Sequence, residues 1–343
     1  LSQLCARKRT EGEDVLAGIN TGFFDSNDGF GRGMHIEEGE PVFINNQGVR
    51  KSLVNHTWAF TTFTDGSASC GKKEFSGKME LAGKEYEYFS VNDTIVRRGH
   101  KTYYANLYTS RYKEIPHADH PELVNKLSKS ALYVVAKYNS NVMTVNNGYA
   151  EAAVTAIYDG RTTELAKAPY LSAADEVAIQ LTGDKAAEIA AAVKVGDNIK
   201  LRADVTVDGA TKPIYTQNST MFQFLKNGKD NTGSLADDSS NNTKFDPITF
   251  AAVDQAGTKV WFVVVDGRQI NLTDGVWTSM GLKAHEMMQV AKRLGAYNMT
   301  RFDGGGSSAM WAYADGAGAL VNTPSDEKGE RSCMNYIYIR ARK

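Results

Sequence analysis

Two strand-like runs in the last third of this chain each end in Asp-Gly, and a helix-patterned stretch separates them. Val260 to Val265 is unbroken apolar sequence running into Asp266-Gly267-Arg268. Tyr297 to Phe302 runs into Asp303-Gly304-Gly305-Gly306-Ser307-Ser308. The first run has the pattern of a strand buried on both faces. Between the runs, Leu282, Glu286 and Val290 fall on one helical stripe. Thr278 or Ser279 stands where a cap is expected, and Gly295 stands where a helix would stop. This pattern predicts strand, helix, strand, with the two strands as parallel neighbours and a right-handed crossover. Both Asp-Gly loops then open at strand C-termini on one sheet edge, where open α/β sheets place ligands.

The second loop constrains chemistry as well as fold. Three consecutive glycines allow backbone conformations that a Cβ forbids. Successive amides can turn inward as an anion-binding concavity, with two hydroxyls beside them and a carboxylate at the entrance. The competing reading is a tight, featureless turn. The remaining candidates also have two readings each. Asp266 and Asp303 have matching placements at strand ends, as site residues or as turn caps. Glu286 lies among apolar neighbours, where partial burial would raise its pKa for proton transfer, or on a flank paired with Lys283. Arg268 and Arg331 can grip a phosphate in bidentate fashion or remain solvated surface charges.

Composition closes off several classes. Lys plus Arg number 39 against 40 Asp plus Glu, a net charge of -1, so no basic surplus points to nucleic acid. No apolar run approaches the roughly 20 residues of a membrane span. There is no Gly-x-Ser-x-Gly elbow, no Walker lysine and no Cys-x-x-Cys pair. Asp28-Gly29-Phe30-Gly31-Arg32-Gly33 lacks the dinucleotide-binding spacing. Cys5, Cys70 and Cys333 stand far apart in no metal-ligand spacing, compatible with one disulfide and one free thiol. His117-Ala118-Asp119-His120 looks like a ligand cluster, but Asp119-Pro121-Glu122 is equally a helix start, and neither metal nor cofactor is assigned. Tyr103, Tyr104, Tyr108 and Tyr112 can stack on sugars or pack a strand core.

Asn-x-Thr sequons occur at Asn55, Asn92, Asn218, Asn241, Asn271 and Asn298. Asn298 starts the strand that feeds the glycine loop, where a glycan would not fit, so the sequence reads as bacterial rather than eukaryotic secretory. The first residue is Leu, which fits a removed signal peptide or a chain boundary. The expected location is secreted, periplasmic or cell-surface.

The middle of the chain has a different texture. Runs at Leu132 to Tyr138, Ala152 to Tyr158 and Ile199 to Val207 read as strands, with helices at Pro121 to Lys129 and Asp184 to Val193. The expected fold class is α+β: a mixed β-sheet core with packed helices and a β-rich inserted subdomain. Residues 1–80 and 216–343 would form the core and 81–215 the insertion.

Taken together, the chain resembles the phosphodiester glycosidases related to the lysosomal uncovering enzyme. The resemblance rests on Asn20-Thr21-Gly22-Phe23-Phe24-Asp25, Val263-Val264-Val265-Asp266-Gly267-Arg268, Gly281 with Glu286, and Asp303 through Ser308. Asn322, Pro324, Arg331 and Asn335 fit the closing pattern, with Val195-Gly196-Asp197 and Phe224-Leu225-Lys226-Asn227-Gly228 as landmarks between. It implies hydrolysis of a carbohydrate phosphodiester at the anomeric bond. Gly304, Gly305, Gly306, Ser307, Ser308, Arg268 and Arg331 would bind the phosphate, Asp303, Glu286 or Asp266 would serve catalysis, and Asn20 and Asp25 would line the sugar pocket. Two positions depart from the family. Pro247-Ile248-Thr249 stands where the family carries an arginine, and Arg301 stands where it carries Asn.

Overall fold

In the computed structural model the described residues are 1–24, 31–45, 57–93, 104–111, 130–163, 165, 171, 173–237, 243–270 and 277–341. Asp25, His117 to His120, Tyr103, Tyr112 and the helix expected over Pro121 to Lys129 lie outside them. Sheet dominates: strand outweighs helix by 49% to 14%. The α+β expectation therefore holds only in a β-dominated form.

The site is built on a five-stranded sheet. Its order runs Lys229–Asp230, Phe222–Lys226, Asn298–Arg301, Ile248–Val253, Val260–Val265. The two strands expected to be neighbours are parallel in direction but not adjacent. Ile248–Val253 lies between them and pairs antiparallel with both. Its six residues are all buried, whereas Val260–Val265 is only half-buried along its length because it forms the sheet edge. An apolar run records burial by side-chain packing, not the number of hydrogen-bonded neighbours. Both Asp-Gly loops nonetheless emerge at the same end of the sheet, because the interposed strand runs the other way.

Alternation decides the layers. Ile248, Phe250 and Ala252 meet Ala284, Met287, Met288 and Ala291 of the helix on one face. Ala251 and Val253 face the opposite side and join Phe60, Cys70, Ile19 and Phe302. The helix is Ala284–Leu294, later than the expected start, because Thr278 and Ser279 belong to the strand Trp277–Ser279. It ends as expected at Gly295, whose φ of 89° is left-handed.

A four-stranded sheet (Ala317–Leu320, Met310–Ala314, Val15–Asn20, Tyr336–Arg340) carries the chain out of the glycine loop and back beside it. The largest sheet has twelve strands, and the pairing of Asn198–Val207 with Ala68–Leu81 closes it on itself. It draws on Met34–Glu37, Glu40–Ile44, Trp58–Phe63, Ala68–Leu81 and Ile214–Thr220 as well as the middle of the chain. The boundaries at 80/81 and 215/216 fall within this sheet. Period-two patterning marks a strand without naming the sheet it joins. The expected helix over Asp184 to Val193 is present as Lys185–Ala192, and Leu132–Tyr138 matches residue for residue. Cys5, Cys70 and Cys333 are all free thiols, so the compatible disulfide does not form. Among the described residues no helix is long and apolar enough to cross a membrane.

Candidate active site

The glycine loop is a single 3-10 turn, Gly305–Ser307, and that geometry changes what its glycines do. The Gly304 amide donates to Asp303 Oδ1 at 3.0 Å, and the Gly305 amide donates to the Pro247 carbonyl at 2.9 Å. These two amides are spent inside the protein and do not form the expected anion nest. The Ser307 and Ser308 amides in turn close on the Gly304 and Gly305 carbonyls at 3.2 and 3.1 Å.

The glycines serve a different purpose, close approach of guanidinium groups. A Cβ on Gly304 would lie 3.0 Å from Arg301 Nη2 and 2.8 Å from the Pro247 carbonyl. One on Gly305 would lie 3.2 Å from Arg268 Nη1, and one on Gly306 would overlap Arg331 Nη2 and Asp326 Oδ1. Each of the three glycines therefore faces a different arginine. Any side chain there would push a cation outward.

Two of these cations are already held. Arg268 directs Nε (2.8 Å) and Nη2 (2.7 Å) to Asp246 Oδ1. Arg331 clasps Asp326 through Nε (2.7 Å) and Nη2 (2.9 Å), and its Nη1 donates to Ser307 Oγ at 3.4 Å. Arg268 also carries a φ of 57°, a left-handed conformation that costs a non-glycine residue roughly 1–2 kcal/mol. Gly281, with φ 96°, packs against the Asp246 backbone so closely that a Cβ would overlap it. This contact fixes the helix entry beside the Arg268 pair.

Asp303 sits among the arginines. Burial pushes its carboxyl above the ordinary carboxylate range, while hydrogen bonds from Ser307 and the Gly304 amide, with Arg301 and Arg331, pull the other way. Its backbone is braced: the amide donates to the Thr21 carbonyl at 2.9 Å and the carbonyl accepts from Asn20 Nδ2 at 2.7 Å. Ser308 is 1% exposed, and its hydroxyl has no hydrogen-bond partner among the described residues. A buried hydroxyl in that state calls for a ligand oxygen or a water.

The other expected residues occupy supporting places. Asn20 is wholly buried, and besides bracing Asp303 its Oδ1 accepts from Thr249 Oγ1 (2.8 Å) and the Ala309 amide (3.1 Å). It is a support under the loop rather than the wall of an open sugar pocket. Asp266 accepts from Asn322 Nδ2 at 3.0 Å and the Thr323 amide at 3.0 Å, pinning the returning segment. Glu286 accepts the Lys283 amide at 2.8 Å as the third residue of its helix, so it caps the backbone instead of pairing with the Lys283 ammonium. Beneath the loop, Asn218 Oδ1 collects Thr21 Oγ1, Asn335 Nδ2 and His35 Nδ1. Desolvation lowers the His35 pKa. Asn218 is 0% exposed, which leaves no room for a glycan on that sequon.

The two departures are clearer in space. Thr249 is buried against Asn20, on the face away from the helix. Arg301 pairs in register with Phe222 and Phe250, both in the helix-side core. The cation gained therefore reaches the loop from the opposite face of the sheet to the position where one is lost. Asp246 and Asp326 carried no signal in the sequence. Their arginines lie 22 and 5 residues away, at no helical or strand spacing. Among the described residues no group of three His, Cys, Asp or Glu side chains is placed to hold a metal ion.

A family model described as phosphodiester glycosidase matches residues 135–340. No curated protein matches the sequence. A crystal structure of a hypothetical protein from Synechocystis aligns with a TM-score of 0.60 at 18% identity, over 94% of this chain and 50% of that one. A Burkholderia pseudomallei K96243 protein described as exported aligns with a TM-score of 0.60 at 19% identity, over 98% of this chain and 66% of that one. The chain thus spans half of the first and just under two thirds of the second. The catalytic domain of zebrafish N-acetylglucosamine-1-phosphodiester alpha-N-acetylglucosaminidase, auto-inhibited by its pro-peptide, aligns at a TM-score of 0.28 and 11% identity, over 96% of this chain and 89% of that one.

Proposed function

The chain belongs to the phosphodiester glycosidase family, and from that premise we propose that it hydrolyses the anomeric bond of a sugar-1-phosphodiester. The observation that carries the reading is the convergence of three guanidinium groups and one partly buried carboxylate on a single glycine loop.

A departing phosphate monoester is a good leaving group, so the site needs positive charge on the phosphate more than a strong general acid. Arg268, Arg301 and Arg331 supply that charge, and Gly304, Gly305 and Gly306 let them close in. Ser307 and Ser308 add hydroxyls at the same point. Asp303 acts as nucleophile or base at the anomeric carbon. In the base reading it takes the proton of the attacking water as the C1–O bond breaks. The bonding pair leaves with the phosphate, giving free sugar and a phosphate monoester. Asn20 and Asp266 hold the two loops in register, and Glu286 fixes the helix entry. Asp25 remains the proposed sugar contact. An exported relative of the same fold supports a secreted or periplasmic site of action.

One observation favours a second reading, a carbohydrate-binding protein without turnover. Asp246 and Asp326 partly neutralise two of the three cations before any ligand arrives. The deciding measurement is release of free sugar from GlcNAc-1-phosphodiester and related sugar-1-phosphodiesters by wild type and Asp303→Asn, with and without chelator. Turnover lost in the variant and indifferent to chelator is the expected result. Chelator-sensitive turnover overturns the metal-free scheme. Saturable binding with no product across the panel selects the binding protein.

A further inference from the structure

A cavity of about 440 Å³ opens in the twelve-stranded sheet, lined by residues that take no part in the glycine loop. Its walls include Met34, Ile44, Phe75, Tyr88 and Phe89, and its charged lining is Lys72, Lys73, Glu74 and Glu87. Lys73 occupies an inward position of the Ala68–Leu81 strand, in alternation with Gly77, Met79 and Leu81, all of them buried. It is 5% exposed and stands opposite Val207 in register. Among the described residues no hydrogen bond or ion pair holds its ammonium, and burial pushes its pKa down to about 7. The next residue, Lys72, already takes Glu74 at 2.6 Å.

An uncompensated cation on an inward stripe is costly, and packing would be better served by an aliphatic residue there. Its retention beside a cavity makes sense if a ligand supplies the missing charge. The volume lies within the range of small-molecule pockets, which combine apolar walls with a few placed polar groups. Lys72 and Glu74 neutralise each other, so among the described residues Lys73 is the lining cation left to match a single negative charge. Phe75 and Phe89 are only half-buried, so ring surface is available for a flat body.

We propose that this cavity is a binding site for a small organic monoanion with a flat apolar body, such as an aryl carboxylate or sulfonate, its charge against Lys73 and its rings against Phe75 and Phe89. The site is independent of the glycine loop and of the hydrolytic reading.

The test is fluorescence titration with 1-anilinonaphthalene-8-sulfonate and its uncharged counterpart N-phenyl-1-naphthylamine, on wild type and Lys73→Met. Met keeps the length of the side chain and removes its charge. The expected result is saturable one-to-one binding of the sulfonate, weakened about tenfold or more in Lys73→Met, with the uncharged dye bound alike by both. Absence of saturable sulfonate binding to wild type, or an affinity unchanged in the variant, overturns the proposal. Should Lys73→Met fail to unfold cooperatively, Lys73→Gln takes its place. Acylation of Lys73 by acetic anhydride then gives a second readout: protection by the dye supports the site, and unaltered labelling overturns it.

Discussion

Gly306→Ala isolates the claim that the glycines exist to admit guanidinium groups. The backbone there does not need a left-handed conformation, so alanine adds one methyl group and little else. That methyl would overlap Asp326 Oδ1 and Arg331 Nη2, and the pair must retreat by upward of about 1 Å to restore ordinary contact. Arg331 is 42% and Asp326 32% exposed, so the ion pair itself contributes only about 0.2–1 kcal/mol to stability. The structural cost should therefore stay near 1 kcal/mol, read by urea unfolding. The functional cost should be larger. Withdrawing one preorganised donor from a developing anion typically lowers kcat by about 10²–10³, or roughly 2.7–4 kcal/mol. Sugar release from a sugar-1-phosphodiester measures it, and Arg331→Gln should reproduce the loss without the clash. Turnover within about threefold of wild type in a folded Gly306→Ala protein refutes the reasoning, because guanidinium approach would then be irrelevant.

Four further outcomes follow from the same contacts. Because burial raises the Asp303 pKa above its unfolded value, this group favours folding below the usual carboxylate range and disfavours it as pH rises through the folded value; Asp303→Asn should therefore melt higher than wild type at pH 7 and lose that advantage toward pH 4. If Asp303 works as a base or nucleophile, the acidic limb of the wild-type pH–rate profile should sit above the ordinary Asp range, and a limb at or below it would argue for another group. Asn20→Ala strips a buried hub of three hydrogen bonds and should cost about 2–4 kcal/mol in urea unfolding, whereas a loss under 1 kcal/mol would remove Asn20 as the support of the loop. Lys73 has its pKa lowered to about 7 in the folded protein, so wild-type stability should gain between pH 7 and about 10 relative to Lys73→Met; parallel pH profiles would contradict the burial of that ammonium.

What was legible in the sequence was local. The strands Leu132–Tyr138 and Val260–Val265, the end of the helix at Gly295 and the loop after Asp303 were readable because alternation, apolar runs and glycine punctuation act over a few residues. The placement of both Asp-Gly loops at one sheet edge followed from strand direction, and it survived even though the strands are not neighbours. Ile248–Val253 between them could not be foreseen, since nothing in a strand's composition names its partners. The same ignorance covers the twelve-stranded sheet, which recruits strands from across the chain. Composition and the triple glycine thus determined that this chain would build a loop of small residues beside a carboxylate. Only the tertiary structure decided that three arginines from three separate segments would fill the space those glycines leave. Charges distant in sequence meet through packing, and packing leaves no periodic trace in the chain.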